Sequence, residues 1–123
     1  MVKFTVHKAN IINVSADAIV YSANASLKKG SGMSKAVFNA AGEYKLLADL
    51  HQYGNHLNEG EAVITRGFDL AAGHIIHTVV PKYYIEREGK YADFSMCFVN
   101  SLKVANERGI KVLAVPCIGT GIS

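Results

Sequence analysis

Two short stretches, Gly30-Ser31-Gly32 and Gly119-Thr120-Gly121, hold the residues whose type and spacing could do chemistry in this chain of 123 residues. Each follows an apolar run, Ala18-Ile19-Val20 in the first case and Lys111-Val-Leu-Ala-Val-Pro116 in the second. A glycine lets the backbone turn sharply or approach a ligand closely where a Cβ would clash. From Met33 onward, Met33, Val37, Ala40 and Ala41 recur at the spacing of one helix face, and Gly42 stands as the stop. The first loop therefore feeds a helix N-terminus, whose unpaired N–H groups and positive dipole end favour an anion, phosphate above all. Two such loops at strand ends suit one ligand with two phosphates, and Asn24 stands between the first strand and its glycines. Neither standard nucleotide motif is satisfied: Lys35 occupies the place of the third glycine of a dinucleotide fingerprint, and no Gly-Lys-Ser/Thr is present.

Other reactive residue types have structural readings. His74 and His77 sit three apart on a strand, where a period of two sends them to opposite faces, so they cannot share a metal. His51 and His56 have no partner at zinc spacing and read as surface residues. Ser26-Leu-Lys-Lys29 matches the Ser-x-x-Lys of serine acylases, but the companion motifs are absent. Lys28 and Lys29 read as a solvated pair that borders the glycine loop and could steer an anion. Tyr83, Tyr84 and Tyr91 are not set among arginines, as a base-stacking face would require.

The elements that must position the loops alternate between strand and helix. Lys3 to His7 alternates polar and apolar as a half-buried strand, and Ala9-Asn10-Ile11-Ile12 leads to the strand that begins near Asp17. A second helix is expected from Glu43 to about Tyr53, with Leu46, Leu47 and Leu50 on one side, followed by a loop over 54–60. Glu61–Thr65 and His74–Val80 read as strands, the latter ended by Pro81. Tyr91, Phe94, Phe98, Leu102 and Ala105 mark the inward face of a long helix, with Gly109 at its C-cap. The pattern implies an α/β sandwich whose ligand sits outside the carboxyl ends of the strands.

Composition agrees with one globular domain: 50% hydrophobic residues, 19% charged. A net charge of +3, from scattered lysines and arginines, permits an anionic ligand without calling for nucleic acid. Cys97 and Cys117 lie in apolar surroundings without metal spacing, which reads as two reduced core thiols and a cytoplasmic setting. The N-terminus begins as a strand rather than a signal peptide, no apolar run is long enough to span a membrane, and no cofactor is called for.

Asp17-Ala-Ile-Val-Tyr-Ser-Ala-Asn24, Gly30-Ser-Gly32, Ala40-Ala-Gly42, Gly60-Glu-Ala-Val-Ile-Thr65, His74-Ile-Ile-His-Thr-Val-Val-Pro81 and Gly119-Thr-Gly-Ile122 occur in order, and with them the chain resembles a macrodomain, the ADP-ribose-binding fold. The resemblance covers nearly the whole chain. It implies a three-layer sandwich with a mixed central sheet and a cleft for ADP-ribose, or an ADP-ribosylated protein, between the two glycine loops. The ligand-binding residues it implies are Asn10 and Ile11 at the adenine, and Ala23, Asn24, Gly30, Ser31, Gly32, Met33, Gly119, Thr120, Gly121 and Ile122 around the diphosphate and distal ribose. Asn24 would be the catalytic residue if the protein is a hydrolase that removes mono-ADP-ribose from acidic side chains. The alternatives are a reader that binds without turnover and, behind it, a nucleic-acid-binding domain.

The departures from the family pattern bear on the same site. Asn10 replaces the usual Asp that reads the adenine amino group, and its amide oxygen still accepts that bond. Tyr21 replaces the first Asn of the usual Asn-Ala-Ala-Asn, Ser31 interrupts the glycine triplet, and Ser34 stands where hydrolases of the family often carry an Asp. The family's last helix and strand, and the aromatic that stacks on adenine, fall beyond position 123, so the expectation is an incomplete domain over 1–123. The missing strand would lie between those of Lys3–His7 and Lys111–Pro116. Either these two pair directly, or a second molecule supplies a strand in a homodimer through exposed edges.

Overall fold

The structure, a computed structural model, describes residues 2–7, 11–81 and 90–116. Five strands, β1 (Lys3–His7), β2 (Ala18–Ser22), β3 (Ala62–Arg66), β4 (His74–Thr78) and β5 (Val112–Pro116), form one sheet in the order β1-β5-β2-β4-β3. The β1–β5, β5–β2 and β2–β4 pairs are parallel and β3–β4 is antiparallel, so the sheet is mixed as expected. Of the two arrangements foreseen for β1, direct pairing with β5 is present, running from Lys3 opposite Val112 to His7 opposite Pro116.

β2 is central, and its continuous apolar run follows from burial on both faces: Ala18, Ile19, Val20 and Tyr21 are all at most 4% exposed. Alternation sends Ile19 and Tyr21 to one face, where they pack with Val37, Phe38, Leu46 and Leu50 of α1 (Met33–Ala41) and α2 (Glu43–Leu50). Ala18 and Val20 point to the other, with Ala105 of α3 (Lys90–Glu107). Asp17 staples the sheet from below: one carboxylate oxygen accepts the Lys111 and Val112 N–H groups at 2.8 and 2.9 Å. Those bonds hold its carboxyl below the ordinary carboxylate value.

Three expectations about helices need correction. The buried stripe of α1 is Ser34, Val37, Phe38 and Ala41, rotated from the expected Met33, Val37, Ala40 and Ala41, because the Ser34 hydroxyl has an internal partner and tolerates burial. The second helix stops at Leu50, and His51–Tyr53 tightens into a 3-10 turn. On α3, the residues turned inward are Cys97, Ser101 and Ala105, at 4%, 3% and 0% exposure, whereas Phe98 is 48% exposed. Small side chains along that seam let the helix lie close to the sheet, and the larger Phe98 fits only at its flank, stacked on Phe4 at 5.0 Å between ring centroids. The helix closes as expected, with Ile110 N–H to Ala105 C=O at 3.0 Å and Gly109 N–H to Asn106 C=O at 3.3 Å, a Schellman motif.

Candidate functional site

Parallel strands share a direction, so β1, β2, β4 and β5 all release the chain at one rim of the sheet. The loop that leaves β2 there runs from Ala23 to Gly32 and enters α1. β5 lies beside β2 and delivers the chain to the same rim at Pro116. Asn10, Gly119, Thr120, Gly121 and Ile122, all expected at the site, lie outside the described residues, as does Cys117.

Asn24 organises the loop. Its Oδ1 accepts the Lys28 N–H at 3.1 Å and the Ser26 hydroxyl at 2.9 Å, while its Nδ2 donates to the Lys28 carbonyl at 2.8 Å. Leu27 N–H returns to the Asn24 carbonyl at 3.0 Å, and this turn holds Leu27 at φ 54°, a region a branched residue enters only under constraint. Ala23 is anchored by its N–H to the Thr78 carbonyl of β4 at 2.7 Å. Gly30 passes so close to Asn24 that an added Cβ would stand 2.8 Å from its Nδ2.

Gly32 is the N-cap of α1 at φ 59°, a left-handed conformation that favours glycine. No side chain caps this helix, and the first-turn N–H groups of Met33 and its successors have no intrahelical acceptor. Ser31 and Gly32 are exposed beside them, and Met33 is half-buried. Ala18 to Gly42 contains no carboxylate. Lys29 pairs with Glu43 at 3.3 Å, tying the loop to the start of α2, and Lys28 stays exposed. An open helix N-terminus with exposed glycine backbone and no negative charge is suited to an anion.

Ile11, expected at the adenine, is fully buried in the core beside the rim. Beneath the loop, Tyr21 and His77 meet across β2 and β4. The Tyr21 hydroxyl and His77 Nδ1 share a hydrogen bond of 2.7 Å, and His77 Nε2 meets the Thr65 hydroxyl at 2.9 Å. Burial holds this imidazole neutral, its pKa pushed down to about 3, and pushes the Tyr21 hydroxyl up. Tyr21, which is 1% exposed, thus supports the loop from within the core, and His77 is a satisfied core residue. His51 and His56 are exposed, and no group of three or more metal-ligating side chains occurs among the described residues.

Sequence reasoning missed two of these connections. Ser34 carries a visible signal, since Ser34, Val37, Phe38 and Ala41 also keep helical spacing. The His77–Tyr21 pair spans 56 positions and depends on register, which no local pattern announces.

An apolar groove of about 450 Å³ lies away from this loop, between β1, β5 and α3, lined by Phe4, Val6, Phe98, Val99 and Leu113. No helix among the described residues is long and apolar enough to cross a membrane.

A family model described as Macro domain matches residues 20–123. A macro domain-containing protein of Chlorobaculum tepidum is 43% identical over 115 residues, which cover 94% of this chain and 66% of that one. The ADP-ribose glycohydrolase MACROD2 of Homo sapiens is 40% identical over 121 residues, 98% of this chain and 28% of that one. Among solved structures, a mutant Oceanobacillus iheyensis macrodomain with ADPR superimposes with a TM-score of 0.83 at 30% identity, covering 97% of this chain and 67% of that one. The chain thus spans less than two thirds of the length of these curated relatives.

Proposed function

This chain belongs to the macro domain family, and from that premise we propose that it binds ADP-ribose at the rim where β2 and β5 end and hydrolyses mono-ADP-ribose esters of acidic side chains. The observation that carries the binding is the loop itself: glycine backbone at the end of a central parallel strand runs into the uncapped N-terminus of α1, with no carboxylate from Ala18 to Gly42. The diphosphate belongs on Gly30–Met33 and the distal ribose beside Asn24, while Asn10 and Gly119–Ile122, which the family resemblance adds to the site, lie outside the described residues.

In the hydrolytic step, water adds to the anomeric carbon of the distal ribose as the bond from that carbon to the carboxylate oxygen breaks. The carboxylate leaves with the bonding pair, and the proton of the water passes to solvent. With no carboxylate on the loop to act as a base, orientation by Asn24 and the diphosphate supplies most of the acceleration. The same lack of a base supports the second reading, a reader that holds ADP-ribose without turning it over.

A mono-ADP-ribosylated glutamate peptide separates the two. Turnover by the parent, reduced by Asn24→Ala more than affinity is reduced, is expected of a hydrolase; tight binding with no product at saturating peptide identifies a reader. Because β1 pairs directly with β5, the proposed site needs no strand from a second copy.

A further inference from the structure

We propose that Ser34 is a positioning residue, which sets the preference of the site for the distal half of ADP-ribose by holding Gly30 against the amide of Asn24. The inference rests on the ADP-ribose reading above and adds to it a residue that touches no ligand.

Asn24 has little left to offer a ligand. An amide oxygen accepts two hydrogen bonds, and both places on Oδ1 are filled, by Ser26 and Lys28. An amide nitrogen carries two hydrogens, and one is given to the Lys28 carbonyl. Among the described residues a single N–H is left without a partner, so Asn24 can recognise only an acceptor oxygen, and the direction of that N–H follows the plane of the amide. Gly30 bounds the plane on the Nδ2 side, where even a Cβ would come within 2.8 Å.

Gly30 is held in turn by Ser34. Its N–H donates to the Ser34 hydroxyl at 3.1 Å, and Ser34 is 6% exposed on the first turn of α1. A glycine peptide meets little steric resistance to rotation, so this bond is what keeps it in place. Without the hydroxyl, the Gly30 N–H would seek another acceptor, and the surface that faces Asn24 would move. The spare N–H of Asn24 would lose its aim, while the first-turn N–H groups of α1 that face the diphosphate would keep theirs.

The test compares ADP-ribose with ADP by calorimetry in the parent, Ser34→Ala and Ser34→Cys. The parent should prefer ADP-ribose, and Ser34→Ala should lose about tenfold of that preference, the scale of one hydrogen bond, read as the ratio of the ADP-ribose and ADP affinities. Ser34→Cys keeps the volume but offers only a weak acceptor, so it should shift the same way and serves where the alanine variant does not fold. A merely structural serine would lower the Tm and leave the ratio of the two affinities alone, and that result overturns the proposal. If the parent binds neither nucleotide, the functional reading fails, and amide hydrogen exchange in ligand-free protein decides the role of Ser34. Exchange of the Gly30 N–H about tenfold faster in the variants upholds it, and unchanged exchange overturns it.

Discussion

On the α1–α2 face of the sheet, Ile19, Val37, Phe38, Leu46 and Ile75 have no exposed surface, whereas on the α3 face Val6, Phe98 and Val99 are 68%, 48% and 51% exposed around an apolar groove. The two faces share the same strands, so the difference lies in what covers them. Two short helices meet the first face with large side chains, and α3 meets the second along a seam of Cys97, Ser101 and Ala105. The loop of the proposed site grows from the packed face, since Leu27, Val37 and Phe38 belong to its core. A site that depends on backbone N–H groups needs such a platform, because small displacements of donors weaken anion binding.

That contrast can be broken most sharply by truncating one aromatic on each face. Phe38→Ala should cost about 3–5 kcal/mol, the usual penalty for emptying a buried aromatic position, read as a shift in denaturant midpoint. A loss comparable to that of a surface substitution would mean that the packed face is not the platform described.

The second effect belongs to His77, which lies on the packed side among buried partners. In the unfolded chain this imidazole takes up a proton near the ordinary 6.5, but in the folded protein only near 3. The folded pKa is depressed, so the stability is whole above about 6.5 and is lost progressively as pH falls toward 3. Denaturant midpoints at about pH 7.5 and about pH 4.5 should therefore fall further in the parent than in His77→Gln, which does not titrate there. Equal acid sensitivity in the two proteins would remove His77 as the cause.

On the looser face, Phe98→Ala should cost only about 1 kcal/mol, the scale of a half-exposed aromatic pair such as Phe98 with Phe4. A loss as large as that of Phe38→Ala would show the two faces to be equally packed.

How far these features could be read from residues alone varied with their reach along the chain. The strand of β2 was legible because burial on both faces leaves a continuous apolar run, and the α3 end because Gly109 completes a local motif. Glycines 30 and 32 were legible for the same reason, since their conformational demands are set within a few residues. The inward face of α3 was not, because Phe98 satisfies helical spacing as well as Ala105 does, and only the closeness of the sheet selects the small residues. Ser34 stood out only as the place where hydrolases of the family often carry an Asp, because its bond to Gly30 depends on how the loop folds back on α1. The link from Tyr21 through His77 to Thr65 required the register of three strands.

The account centres on the claim that loop 24–32 and the start of α1 form the anion-binding wall of an ADP-ribose site. Its most direct test is calorimetric titration of ADP-ribose and AMP into the parent and into Gly32→Val. The parent should bind ADP-ribose at micromolar strength, about 8 kcal/mol, and AMP distinctly more weakly. Gly32→Val, with a branched residue forced toward φ 59° at the cap of α1, should lose that binding while its thermal unfolding stays cooperative. Parental affinity in the folded valine variant, or equal heats for AMP and ADP-ribose in the parent, would contradict the claim.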